Sequence, residues 1–163
     1  MAAGRATYNV RLGDEWKRVS LALREVDRDL PDKLRKAMRE AARPAAEDAK
    51  RRVKSLPVHG RKHTGLRRRV ASGVAIQAGA GRGLGVRIVT GMRDPQEASL
   101  PRYLDDPRGW RHPVFGQRDV WVTQHTGGSW FRATIAEHRP QMAHELERVL
   151  ENAAETIAAA GRG

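Results

Sequence analysis

The sequence predicts an α+β fold: a helix pair at the N-terminal end, a small antiparallel β-sheet in the middle and a long C-terminal helix packed with them. Three observations predict it. Apolar residues recur at helical spacing before residue 57 and after residue 128. Period-two alternation replaces that spacing between 69 and 90. Glycine and proline punctuate the junctions between the periodic runs. At 163 residues the chain suits a single domain spanning 1–163.

The helix pair covers about 14–54. In its first member, from about Glu15 to Asp29, Trp16, Val19, Leu23, Val26 and Leu30 follow one another by 3, 4, 3 and 4, a single stripe. Asp14 is placed to cap it, its carboxylate accepting from first-turn amides. Pro31 marks the break and suits the first turn of the second helix, which runs to about Lys54. Leu34, Met38, Ala41, Ala45, Ala49, Val53 and Leu56 form its apolar face, and Pro44 inside it predicts a kink or a local break.

A basic loop follows over 57–66, rich in glycine, histidine and cations. Next comes a β-hairpin over 67–90. Val70, Ser72, Val74 and Ile76 alternate in its first arm, Leu84, Val86, Ile88 and Thr90 in its second, with a glycine-rich tip at 79–83. Residues 91–119 hold four of the eight prolines and little periodicity, which predicts a long ordered loop of the kind that serves function or an interface. A short strand is expected at 120–124 and the last helix over 129–159. Ile135, Met142, Leu146, Val149, Leu150, Ala153 and Ile157 make the apolar face of that helix, and Pro140 is expected to divide it.

Composition narrows the function classes. There is no cysteine, which excludes disulfides and thiolate metal sites. No run approaches the length of a membrane span, and residues 1–12 lack the apolar centre of a signal peptide, so the expectation is a protein made in the cytoplasm with no membrane partner. Much of the 39% hydrophobic content is alanine, with two Phe and two Tyr, so the core is expected to be thin and some apolar surface to be buried against neighbours.

The net charge of +12 is concentrated. Between Ala49 and Arg93 lie Lys50, Arg51, Arg52, Lys54, Arg61, Lys62, Arg67, Arg68, Arg69, Arg82, Arg87 and Arg93, with no acid among them. The other 19 basic residues are matched by the 19 acidic ones. Such a band attracts a polyanion or an acidic partner surface. A solvated face that keeps the protein soluble accounts for it equally well.

No catalytic constellation emerges, and the chain is read as a non-enzyme with no cofactor and no metal. Gly79–Gly85 resembles a phosphate-cradling loop, but strand-like alternation flanks it on both sides, where a phosphate loop opens a helix. His59 and His63 are four apart in a loop context with no carboxylate nearby. His112, His125, His138 and His144 are scattered, and Asp105-Asp106 reads as a turn pair. The alternative function is a basic nucleic-acid-binding protein making nonspecific phosphate contacts. The band lacks the interleaved aromatics that stack bases.

Several segments taken together resemble a known family. Thr64-Gly65-Leu66 follows a long amphipathic helix and is expected to open a basic strand. Trp110-Arg111-His112-Pro113-Val114-Phe115-Gly116 is followed by Trp121-Val122-Thr123-Gln124, and then by Trp130-Phe131 before the last helix. In order and spacing over roughly residues 10–157, this is similar to the tail-completion or head–tail joining neck proteins of long-tailed phages (siphoviruses), typified by a minor tail component of a lambdoid phage. The resemblance implies a structural virion component at the neck or top of the tail, assembled in the host bacterial cytoplasm as a homo-oligomeric ring, expected to be hexameric. Its neighbours would be head-closure, tail-terminator, tail-tube or tape-measure proteins, with passing DNA as a further contact. The interface candidates are the basic residues Lys50, Arg51, Arg52, Lys54, Arg61, Lys62, Arg67, Arg68 and Arg69, and Trp110, His112, Pro113 and Phe115 of the proline-containing loop. For those aromatics a second role stays open, that of plugging the subunit's own core.

Overall fold

Helix α1 (Leu30–Ser55) forms the spine of the molecule. The computed structural model describes residues 7–11, 29–57, 65–79, 85–114, 117–125 and 128–160. The expected helix over 15–29, the capping role of Asp14 and the loop residues 58–64 lie outside the described residues.

On α1, Leu34, Met38, Ala42, Ala45, Ala46, Ala49 and Val53 are buried, which is the stripe the spacing predicts. The carbonyl of Asp29 accepts from the amides of Asp32 and Lys33 and starts the first turn, at 3.0 and 3.1 Å. The helix runs unbroken through Pro44, where a kink or break was expected. Pro44 is exposed, on the side of the helix away from the buried stripe.

The C-terminal helix α4 (Arg132–Ala160) lies antiparallel to α1. Ile135, Met142 and Leu146 meet the main core, and Ala153 closes on Leu34 in a smaller cluster at the far end. The four buried alanines of α1 present almost no side-chain bulk, so large residues of α4 and the sheet reach the α1 backbone closely. Pro140 does not divide α4; it too is exposed and carried on the solvent side.

A three-stranded antiparallel sheet covers the other side of α1, in the order β1 (Thr7–Arg11), β3 (Gly85–Val89), β2 (Ala75–Gly79). The register runs Ala75↔Val89 to Gly79↔Gly85 between β2 and β3, and Thr7↔Val89 to Arg11↔Gly85 between β1 and β3. In the central strand Val86 and Ile88 are buried while Arg87 is exposed, as period-two alternation requires. Burying a Val, Ile or Met side chain of this kind contributes about 1.5–3 kcal/mol.

The fold is α+β with a long C-terminal helix, as expected, and the hairpin is present, but three details differ. Residues Leu66–Ser72 form a short helix, α2, so the hairpin begins at Ala75, not near 67. Val70 and Ala71, neighbours in sequence, are both buried against α1, which a half-buried strand does not allow. Gly65, at φ +70°, turns the chain into α2, so Thr64-Gly65-Leu66 opens a basic helix and not a basic strand.

The second difference lies in 91–119, expected as a loop. It holds a 3₁₀ turn (Pro95–Glu97), helix α3 (Leu100–Leu104) and strand β4 (Trp110–Val114). Pro95 and Pro101 sit in the first turns of these elements, where proline lacks only a donor that goes unused. The third is strand β5 (Gln117–Gln124), longer than the expected 120–124. It pairs with β4 in a separate two-stranded antiparallel sheet and not with the hairpin.

Candidate interaction surface

The basic band was expected as an uncompensated field. Folding supplies it with acids from outside the band. Lys50 Nζ donates to Glu47 at 2.8 Å, and Arg51 to Asp48 at 2.9 Å. Arg52 bridges the two long helices: it reaches Asp48 at 3.3 Å and makes a two-pronged contact with Glu137 of α4. Arg69 on α2 does the same with Glu97 of the 3₁₀ turn, at 2.6 and 3.3 Å. Arg67 donates to the carbonyl of Leu56, tying the start of α2 to the end of α1. Lys54 and Arg68 are exposed, and Arg61 and Lys62 lie outside the described residues. The end of α1 and the short α2 are thus brought together, but most of their charge is spent within the chain.

His138 completes this network, its Nε2 lying 3.0 Å from Asp48 Oδ2. Burial raises the Asp48 carboxyl, but the His138 hydrogen bond and the nearby Arg52 and Arg51 outweigh it and hold the group below its ordinary 3.8. Glu137 is lowered by its hydrogen bond to Arg52, and Arg52 is raised in return by Glu137.

The remaining candidates lie on the β4–β5 hairpin, which forms an arm. Its register pairs Trp110↔Gln124, Arg111↔Thr123, His112↔Val122 and Pro113↔Trp121. Directly opposed residues share a face, and faces alternate along each strand. Trp110, His112, Val122 and Gln124 therefore form the inner face. Trp110 leans on the main core and stacks on Tyr103 of α3, ring centroids 6.3 Å apart and planes within 10°. His112 Nε2 lies 3.2 Å from Gln124 Oε1. The outer face is Arg111, Pro113, Trp121 and Thr123, all four exposed. There the Arg111 guanidinium sits over the Trp121 ring at 6.0 Å.

Trp110 thus does serve its own subunit, as one of the two readings held, while Pro113 points away from it. Phe115 lies outside the described residues. Sequence reasoning missed Arg111, Trp121 and the flanking Val120 and Val122, which are exposed at 50% for Trp121 and 47% and 40% for the valines. A signal was available: three consecutive large apolar residues in a strand put at least one on each face, so the strand has no wholly polar side.

Between α3 and the arm lies Asp105, expected as a turn residue. Its carboxylate is buried at 2% exposure and accepts from Ser129 Oγ at 2.9 Å, the Phe131 amide at 2.6 Å and Arg132 Nε at 2.9 Å. It therefore closes the N-terminus of α4, whose unpaired amides and dipole favour a negative charge. Its neighbour Asp106 is a turn residue as expected: the side chain and backbone N–H of Arg108 hold it down to about 2.

His59 and His63 lie outside the described residues. No described helix is long and apolar enough to cross a membrane. No family model matches the chain, and neither a curated protein nor a solved structure matches it significantly.

Proposed function

We propose that this chain is a structural component of a tailed-phage virion, a tail-completion or head–tail joining protein that assembles as a ring at the neck or top of the tail. One observation carries the reading. Two of the segments that carry the family resemblance, Trp110–Val114 and Trp121–Gln124, are the paired strands of a single arm whose outer face includes Trp121, Pro113 and Arg111. Tryptophan and arginine supply most of the binding energy at protein interfaces, and a two-stranded ribbon is marginal in water until something covers it. Such a surface suits docking between proteins. It offers no nucleophile, base or oxyanion donor set for chemistry.

The competing reading, nonspecific nucleic-acid binding, rested on the basic band. Glu47, Asp48, Glu97 and Glu137 pair with four of the twelve cations of that band, Lys50, Arg51, Arg52 and Arg69, which weakens its case. The test is electron microscopy of lysates from a phage carrying the gene and from one in which it is deleted. The reading expects complete virions in the first and separate, unjoined heads and tails in the second. Complete virions without the gene would overturn it.

A further inference from the structure

Strand β5 concentrates the uncovered apolar surface of the molecule. Val120, Trp121 and Val122 are consecutive and exposed at 47%, 50% and 40%; among the described residues one other large apolar side chain, Tyr103, is comparably open. Successive residues of a strand point to opposite faces, so this surface lies on both sides of β5 and a partner on one face alone leaves part of it in water. A strand laid along the edge reaches both sides. The β4–β5 sheet has two strands only, and the free edge of β5 pairs with no described strand. Pro113 leaves β4 one N–H short, whereas β5 contains no proline and keeps its donors for a further ladder. The outer face of the arm also carries one charge of each sign, Arg111 and Asp119. Both are exposed, and neither makes an ion pair among the described residues.

We infer that the free edge of β5 pairs antiparallel with β5 of a second copy of this chain, about a two-fold axis at Trp121. This goes beyond the ring reading, which needs a head-to-tail contact elsewhere, because a two-fold contact closes at two copies. In that register Trp121 opposes Trp121 of the second copy, Val120 opposes Val122 and Asp119 opposes Thr123. All three exposed apolar residues thus gain a cross-strand partner at once. Thr123 is itself paired with Arg111. Asp119 of one copy and Arg111 of the other therefore stand in one row of the outer face, with the small Thr123 between them. Their backbones are two strand spacings apart, about 10 Å, a gap that an arginine and an aspartate side chain span together. The axis makes this ion pair twice. A face that carries both signs is complementary to its own copy, and pairing turns a marginal two-stranded ribbon into a four-stranded sheet.

The experiment measures self-association of the full chain by analytical ultracentrifugation. Arg111→Asp and Asp119→Arg each place like charges in both rows and should raise the dissociation constant by roughly tenfold or more. The double variant reverses both signs, restores the match and should return towards the wild-type value. Circular dichroism checks that each variant stays folded. The chain has no native cysteine, so Asp119→Cys in one protein and Thr123→Cys in another should form a disulfide when mixed. Neither should do so alone, since like positions lie four residues apart across the axis. A wild-type assembly that ignores both single swaps, or a double swap no tighter than either single one and no mixed cross-link, overturns the edge pairing and leaves the ring reading standing. A wild-type chain that stays monomeric at every concentration overturns both.

Discussion

At the scale of single residues, the account turns on a few side chains whose roles depend on what folding brings near them. Asp105 is the clearest. In sequence it is half of an acidic pair between a helix and a turn; in the fold it is a buried charge bonded to the start of a helix 27 residues away. Nothing local marks that distance, so only Asp106 was legible. Buried carboxylates with several charged or amide donors contribute about 1.5–3 kcal/mol per charge-assisted bond. Asp105→Asn keeps the shape and removes the charge. It should lower stability by about 1–3 kcal/mol, read as a lower urea midpoint at unchanged slope. Trp130 and Phe131, read as the entry to the last helix, do precede it, and both are buried and meet edge to face at 5.4 Å.

At the scale of elements, the long helices were legible because each shows one stripe sustained over many turns. Short elements were not. A seven-residue helix such as α2 offers two turns of periodicity, and Val70, Ser72, Val74 and Ile76 fit a strand equally well until α1 is present to bury Val70 and Ala71 together. Pairing partners are also beyond local patterns, so β5 was found but not its match with β4. The arm's root depends on Gly109, which holds φ +75° and would place a Cβ 2.3 Å from the Gln124 carbonyl oxygen. Gly109→Ala should cost the arm about 1–2 kcal/mol from the left-handed backbone alone. Amide exchange should quicken over 110–124 while the melting temperature of the body barely moves. The α1–α4 clamp makes a prediction in acid. Asp48 and Glu137 have folded values below their ordinary 3.8 and 4.5, so the stability they add is present above those values and lost as pH falls through the folded ones. Thermal melts should fall as pH drops below about 4, and less steeply in Asp48→Asn.

At the scale of the whole molecule, net charge counts residues along the chain and not in space. Four cations of the acid-free stretch, Lys50, Arg51, Arg52 and Arg69, pair in the fold with acids from before and after it. Apart from that band stands an exposed arm with Trp121 at its centre. The α+β class was legible in the sequence. The shape of the contact surface required the fold, since faces of a ribbon follow from register. Native mass spectrometry of the purified chain tests the central claim most directly. The account predicts one closed homo-oligomer of fixed subunit number that Trp121→Asp dissociates to folded monomer. A chain that is monomeric throughout, or whose assembly ignores that substitution, would contradict it.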